Sequence, residues 1–345
     1  MVRDGLTVAI MSNFGQESDL GTYKAKTKTI PHYPRSYSGY SGDVLPIHHN
    51  HFKSKNPDLK DAIFILYDSW VYNDAPLNDL PVISYAPLDH VTLPPMVNKF
   101  LSKENVTPVA MSLHGQRQLA EAGIEADYIP HSIDTSVYKP TKHIKQDDPR
   151  KFFGIDDEFL VGMVAANKSN GSIHRKAFAE NMLGFAMFQK RHPEAKLYIH
   201  TDPTRAMGGF DLVTLAKACG IQPKSLIFPD AMELRYGFDR KTMAGIYSSF
   251  DVLLSASYGE GFGVPTIEAQ ACGTKVIGSN WTATTDLVSD TSILVEGMPF
   301  WDEPQAAWWK MPYPEHINSA LETIYNQERG IDSSSVEFAK QFDND

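Results

Sequence analysis

Along this chain, short runs of apolar and β-branched residues alternate with longer stretches in which apolar positions recur every three or four residues. In the first half the apolar runs are 7–11 (TVAIM), 62–67 (AIFILY), 81–86 (PVISYA) and 108–111. In the second half they are 160–166 (LVGMVAA), 196–201 (KLYIHT), 225–228, 251–255 (DVLLS), 274–278 (TKVIG) and 292–295. These runs are nearly continuous rather than alternating, which predicts strands buried on both faces in parallel sheets covered by helices. Between them, 174–191 repeats Phe178, Met182, Phe185 and Phe188 at a helical period. Helices are also predicted over 210–219, closed by Gly220, over 240–249, over 265–272, closed by Gly273, and over 315–327. The polar stretch 138–149, with a proline near each end, separates the two series and reads as a linker. The pattern predicts an α/β protein of two doubly wound Rossmann-like domains facing across a cleft. Their bounds are 1–140 and 150–330, followed by 331–345, with a ligand at the carboxyl ends of the strands.

Composition narrows the class. A length of 345 residues is too great for one ordinary core and suits two domains. Hydrophobic residues make up 42% and charged residues 21%, the profile of a soluble globular chain. No apolar run approaches the roughly 20 residues that span a bilayer, and the N-terminal run reads as a strand rather than a signal peptide. Cys219 and Cys272 are the only cysteines. They offer neither a disulfide framework nor a metal cluster, so a reducing, cytoplasmic setting is expected. The net charge of −10 argues against coating nucleic acid or anionic membrane. Residues 1–150 hold 15 basic and 17 acidic residues, against 17 and 25 in the remainder. The first half therefore repels an anionic partner much less.

The most informative segment is 251–278, DVLLSASYGEGFGVPTIEAQACGTKVIG. A strand runs into a loop holding Gly259, Gly261 and Gly263, and Pro265 suits the first helical position because its missing N–H would be unpaired there. Glycines let the backbone approach a ligand, and the exposed amides of the first turn favour an anion. EGFGVPTIEA resembles the signature of family 4 retaining glycosyltransferases of the GT-B fold, in which two glutamates lie eight positions apart. The resemblance implies that Glu260 contacts donor-sugar hydroxyls and that Glu268 holds the ribose of a sugar nucleotide. It also turns the amides of Gly261, Phe262, Gly263 and Val264 towards the diphosphate or sugar. Upstream, VGMVAANKSNGSIHRKAFAENMLGFAMF is similar to the family's first strand, loop and helix of the second domain. There Lys176 matches the lysine that neutralises the diphosphate. Ala166 stands where many members place an arginine, so Arg175 or Lys168 is left to supply that charge. Cations are required because the departing nucleoside diphosphate gains negative charge.

The resemblance extends over roughly 80–345. AEAGIEADYIPHSIDTSVYKP resembles the interdomain passage, with Ser132 replacing its glycine and His131 expected to be structural. Thr285-Asp286 stands where the family has Gly-Glu or a similar pair. SVEFAKQFDND resembles the approach to a closing helix that crosses back to the first domain, so 331–345 is expected to be the start of a shortened crossing or a lost tail. By the same likeness 1–140 is the acceptor domain and 150–330 the nucleotide-sugar donor domain.

In the first half, Gly15 and Gly21 follow the first strand, and the resemblance makes Gly15 a candidate to border the donor phosphate or the acceptor. The strand 81–86 runs on to Asp89 and His90 at the carboxyl edge of its sheet. By the same resemblance, His90 is expected near the donor sugar as a hydrogen-bonding group and proton shuttle. Asp89 is expected to orient it or to bind acceptor. His48, His49 and His51 point in diverging directions without a cysteine pair, and the resemblance implies no catalytic metal and no cofactor beyond the donor substrate. Residues 22–40 carry Lys24, Lys26, Lys28 and Arg35 without an acid, interleaved with Tyr23, Tyr33, Tyr37 and Tyr40. Lysines at every second position would share one face of an extended segment and suit an anionic or sugar-bearing acceptor, a nucleic acid included. A solvated loop is the alternative. Trp301, Trp308 and Trp309 could stack on sugars or pack in a core.

The resemblance implies a retaining glycosyltransferase of hexosyltransferase type, moving sugar from a nucleotide-diphosphate sugar to an acceptor hydroxyl. The acceptor is left open among glycan, small molecule and modified nucleic acid base. Two other readings stay open: a sugar-nucleotide epimerase, and a catalytically idle relative that only binds the sugar nucleotide.

Overall fold

The computed structural model describes residues 5–344 except 14–16, 18, 26–27, 78, 142–148, 170–172 and 207. Gly15 and Lys26 therefore lie outside the described residues. The chain divides into two compact units. One comprises Met1–Pro87, Leu93–Ala110 and Leu119–Asp127; the other comprises Leu88–Thr92, Met111–Gln118 and Tyr128–Asp345.

In the first unit, Ile10–Met11 (β1), Gly21–Ala25 (β2) and Lys28–Tyr33 (β3) form a sheet in the order β1-β3-β2. A second sheet takes Ile63–Ile65 (β4), Val82–Ala86 (β5), Val106–Ala110 (β6) and Asp127–Tyr128 (β7), in that order. Strands β4, β5 and β6 are parallel, as their apolar runs predict. The run 7–11 is ordered as a strand only over two residues, and it pairs with β3. The basic segment corrects an expectation. It is an antiparallel hairpin in which Lys24 stands opposite Thr29 and Lys28 opposite Ala25. Successive residues of a strand alternate faces, so Lys24 and Lys28 lie on opposite faces of the ribbon rather than on one.

The second unit holds a six-stranded parallel sheet. Its strands are Leu160–Val164 (β8), Lys196–His200 (β9), Leu226–Ile227 (β10), Val252–Ser255 (β11), Lys275–Ser279 (β12) and Ile293–Val295 (β13). They lie in the order β10-β9-β8-β11-β12-β13. The chain winds outward from β8 and then returns across β11, so the order reverses between these two neighbours. Loops leaving their carboxyl ends diverge there and open the usual ligand crevice of such sheets. Val161, Leu197, Ile199, Val252 and Ile277 are fully buried, matching the continuous apolar runs. Helix Phe178–Gln189 packs on helix Pro314–Tyr325 so closely that a Cβ at Gly184 would meet Ile317 Cγ2 at 2.5 Å.

One element of this unit escaped the pattern. Gly297–Asp302 (β14) and Ala307–Pro312 (β15) form an antiparallel hairpin with Trp301 opposite Trp308 and Phe300 opposite Trp309. Its signal in the sequence is a pair of aromatic runs around the turn residues EPQA, 303–306. Trp309 is buried and Trp301 and Trp308 are exposed. Segment Leu88–Thr92 joins this unit through a backbone bridge between Val91 and Trp308.

Candidate active site

Two loops build the site at the strand-order reversal. After β8 the chain passes Asn167, whose side-chain amide donates to the carbonyls of Asp202, Thr204 and Phe210 at 2.8–3.0 Å. Asn167 is buried and staples this loop to the loop after β9, a role that sequence reading missed. The chain then turns through Ala177, which adopts a left-handed conformation (φ 50°) immediately before helix Phe178–Gln189. That turn presents Arg175 and Lys176 at the helix start. Lys168 sits on a backbone bridge to Gly208, and Ala166 accepts from its amide at 2.9 Å. After β11 comes the glycine loop, and helix Val264–Ala271 opens at Gly263 in a left-handed conformation (φ 117°).

Glu260 is the meeting point. One of its oxygens accepts from Lys176 Nζ at 2.6 Å and the other from Arg175 Nη1 at 3.0 Å. Arg175 also donates to the Gly259 carbonyl, and its Nε lies 3.4 Å from Asp89 Oδ2. Asp89 Oδ1 lies 2.7 Å from His90 Nδ1, and His90 Nε2 meets Asp302 Oδ2 at 3.0 Å. The result is a run of alternating charge: Asp302, His90, Asp89, Arg175, Glu260, Lys176. Thr282, another residue of left-handed backbone, accepts from the Glu260 amide at 2.9 Å. A Cβ at Gly259 would fall 2.1 Å from the Asp89 carbonyl oxygen, so only glycine allows segment 88–92 to seat against the loop.

Environment sets each charge. Burial acts to raise the Glu260 carboxyl, but the charges and hydrogen bonds of Lys176 and Arg175 outweigh it and bring the pKa to about 2. Burial likewise opposes the charge on Asp89, and Arg175 with His90 overcomes it, again to about 2. Burial pushes the His90 ring down, while its bonds to Asp302 and Asp89 raise it to about 9. Burial, then Arg175 beside it, lowers the Lys176 ammonium. Glu268 is different. It sits on helix Val264–Ala271, accepting from the Tyr247 hydroxyl at 2.9 Å. Burial raises its pKa against the hydrogen bonds of Tyr138 and Tyr247.

The remaining sequence candidates distribute as follows. Lys176, Glu260 and Gly263 line a small pocket at the ends of β8 and β11, together with Ala165, Asn181 and Ser255. Phe262 is buried, with its ring edge-to-face with His131 at 5.0 Å. Asp286 accepts from the His114 amide and from Arg117, each at 2.9 Å. Lys24 and Lys28 belong to the first unit. Lys28 there lines a hollow with Leu20, Ile30, Tyr33, His51 and Phe52. His48 faces the Pro34 carbonyl, His51 the Tyr33 hydroxyl and His49 Asp61, and no group of three metal-ligating side chains occurs among the described residues. Trp309 packs in the core, one of the two roles its sequence allowed, whereas Asp302, Thr282, Tyr138 and Tyr247 were not foreseen. They come from distant segments whose own patterns carry no chemical signature.

An α/β chain of two Rossmann-like domains with this site is a protein of the GT-B fold. The likeness to sucrose-phosphate synthase from Thermosynechococcus elongatus covers 99% of this chain and 86% of that one, with a TM-score of 0.72 at 16% identity. Anabaena HepE, solved in complex with UDP-glucose, matches over 91% of this chain and 82% of its own, with a TM-score of 0.64 at 17% identity. Residues 172–304 match the family model described as Glycosyl transferases group 1, a span that includes Arg175, Lys176, Glu260 and Glu268. A curated relative, D-inositol 3-phosphate glycosyltransferase of Arthrobacter sp. (strain FB24), is 31% identical over 117 residues, 32% of this chain and 26% of its own length. The chain thus spans about a quarter of the length of that relative. No helix among the described residues is long and apolar enough to cross a membrane.

Proposed function

We propose that the protein is a retaining glycosyltransferase that moves a hexose from a nucleotide-diphosphate sugar to an acceptor hydroxyl. The observation that carries this reading is the convergence of Arg175 and Lys176 on Glu260 at the carboxyl ends of β8 and β11. Two cations there suit a diphosphate leaving group without a metal ion, and the first-turn amides beside Gly263 add to them. The likeness to HepE, solved with UDP-glucose, supports this class of donor, and the likeness to an inositol phosphate glycosyltransferase supports glycosyl transfer.

In this reading Glu268 holds the ribose, Lys176, Arg175 and the amides of Gly261 to Val264 take the diphosphate, and Glu260 faces the sugar, with His90 buried behind Asp89. The bond from the anomeric carbon to the diphosphate oxygen breaks, and the acceptor oxygen bonds to that carbon from the same face. The acceptor's proton passes to the departing diphosphate. Asp89 and the first unit's Lys24 and Lys28 are assigned to the acceptor side, with 1–140 as acceptor domain and 150–330 as donor domain. Lysines on opposite faces of a hairpin do not form one cationic track, which favours a glycan or small-molecule acceptor over a nucleic acid. Free Cys219 and Cys272 accord with a reducing, cytoplasmic compartment.

The test incubates the protein with a panel of nucleotide-diphosphate hexoses and acceptors, then reads diphosphate release and the product's anomeric configuration by NMR. Transfer with retention, lost in Lys176→Ala, supports the proposal. Inversion, epimerisation without acceptor, or turnover unchanged in Lys176→Ala overturns it.

A further inference from the structure

Asp302 belongs to β14, far along the chain from every residue of the sequence motif. It is only 3% exposed and shares the inner face of the hairpin with Ala307, its cross-strand partner. A carboxylate so buried needs a strong partner, and it has one in His90 Nε2 at 3.0 Å. The other ring nitrogen is taken by Asp89 at 2.7 Å. An imidazole can donate from both nitrogens only when it carries the second proton. A neutral ring would aim a lone pair at one of the two carboxylates. Trp309, from β15, lies over the His90 ring with centroids 4.5 Å apart and planes 17° apart, an arrangement that also favours a cation. On the remaining side His114 Nε2 contacts the His90 carbonyl at 2.8 Å. The charged groups facing the ring are therefore Asp89 on its own segment and Asp302 on the hairpin. Arg175, Lys176 and Glu260 lie beyond Asp89, and His114, Arg117 and Asp286 lie behind its backbone.

We propose that Asp302 is a positioning residue that holds His90 as a fixed imidazolium, so that His90 serves the site as a permanent positive charge rather than as a proton shuttle. This rests on the glycosyl-transfer reading for its purpose, though not for its geometry. A shuttle must release a ring proton and take it back in each turnover. Here release would leave a buried carboxylate facing a lone pair, the costly arrangement of an unpaired buried charge. A fixed imidazolium instead holds Asp89, and through it Arg175, in one place with no proton exchange or reorganisation during the step. The β14–β15 hairpin thereby becomes a functional part of the unit, setting the charge of a residue it meets only in space.

The experiment follows the His90 ring by NMR in histidine-labelled protein across pH 5–10, in wild type, Asp302→Asn and Asp302→Glu. His90 is expected to stay imidazolium through pH 8 in wild type and to titrate at least about one unit lower in Asp302→Asn, with Asp302→Glu restoring the high value. The rate of transfer should show its alkaline limb moved down by the same interval in Asp302→Asn, whereas a purely structural role would lower the rate equally at every pH. A neutral His90 at pH 7 in wild type overturns the proposal, and so does a titration unmoved in a folded Asp302→Asn. Should that variant fail to fold, the wild-type and Asp302→Glu titrations still decide. Absence of transfer with every donor and acceptor would sink the glycosyl-transfer reading alone, because the ring titration is read without turnover.

Discussion

The glycine loop after β11 and the helix that follows it carry the two glutamates of one short motif in opposite electrostatic settings. Glu260 is clasped by two cations and held ionised down to about pH 2. Glu268, in the second turn of the helix, meets tyrosine hydroxyls and has its pKa pushed upward by burial. Two carboxylates separated by environment in this way can take separate roles. The loop glutamate is a fixed negative charge that orders the cations around it. The helix glutamate is a polar acceptor suited to neutral hydroxyls, which is what a ribose presents.

The widest separation is expected from removing the two carboxylates in turn. Glu260→Ala should lower the transfer rate by about 10²–10³-fold, the scale of losing one preorganised electrostatic group. Affinity for a nucleoside diphosphate should be retained or tightened, since Arg175 and Lys176 lose their internal competitor. Steady-state kinetics and calorimetric titration with the diphosphate check both halves. A variant that loses affinity and keeps its rate would erase the distinction. Acid stability offers a second view. The folded pKa of Glu260 is depressed, so its contribution is present above the unfolded value of 4.5 and lost as pH falls towards 2. Denaturation curves of Glu260→Gln should be correspondingly flatter across that window.

Crowding divides the two regions as charge does. At Gly259 an added Cβ would strike the Asp89 carbonyl oxygen at 2.1 Å, a backbone atom that cannot swing aside. Gly259→Ala is expected to cost about 1–3 kcal/mol of stability, the usual range for overpacking, and to disturb the His90–Asp89 pair with it. Chemical denaturation measures the first effect and the His90 ring resonances the second. A silent Gly259→Ala would show that segment 88–92 is seated less tightly than the geometry requires.

How much of this was written in the sequence differs between the same regions. The six parallel strands of the second unit were legible because each is a continuous apolar run, and Pro265 marked the start of the helix after the glycine loop, whereas the helix expected over 174–191 begins only at Phe178, after the left-handed turn at Ala177. Glu260, Lys176 and Glu268 were found through the resemblance of their motif. Their partners were not. Asp302, Thr282 and Tyr247 act through contacts between segments 20 to more than 200 residues apart, and nothing local marks them. The ribbon β2–β3 escaped for a related reason: lysines at every second position suggest a single extended strand, whereas a reversal of direction puts Lys24 and Lys28 on two faces.

Binding distinguishes the helix glutamate from the loop glutamate at a smaller scale. Glu268→Ala should weaken the donor by about tenfold, roughly 1.4 kcal/mol, through KM with kcat little changed, as expected when a contact made equally in ground and transition states is removed. Equal losses in kcat would assign Glu268 to the reacting centre and collapse the comparison.

The smallest effect concerns what holds Glu268 before a ligand arrives. Tyr247→Phe removes one hydroxyl donor while keeping the buried ring, so about 1 kcal/mol or less of stability should be lost. The hydroxyl stabilises the charged carboxylate, and without it the already raised pKa should rise further. A carboxyl whose folded pKa exceeds its unfolded one costs stability as pH climbs through that interval and is neutral in effect below it. The loss in Tyr247→Phe should therefore be greater at pH 8 than at pH 4, a difference measurable by urea denaturation at the two pH values. An equal loss at both would mean that the tyrosine supports Glu268 by packing alone, and that the helix glutamate, unlike its partner in the loop, is not tuned by its neighbours.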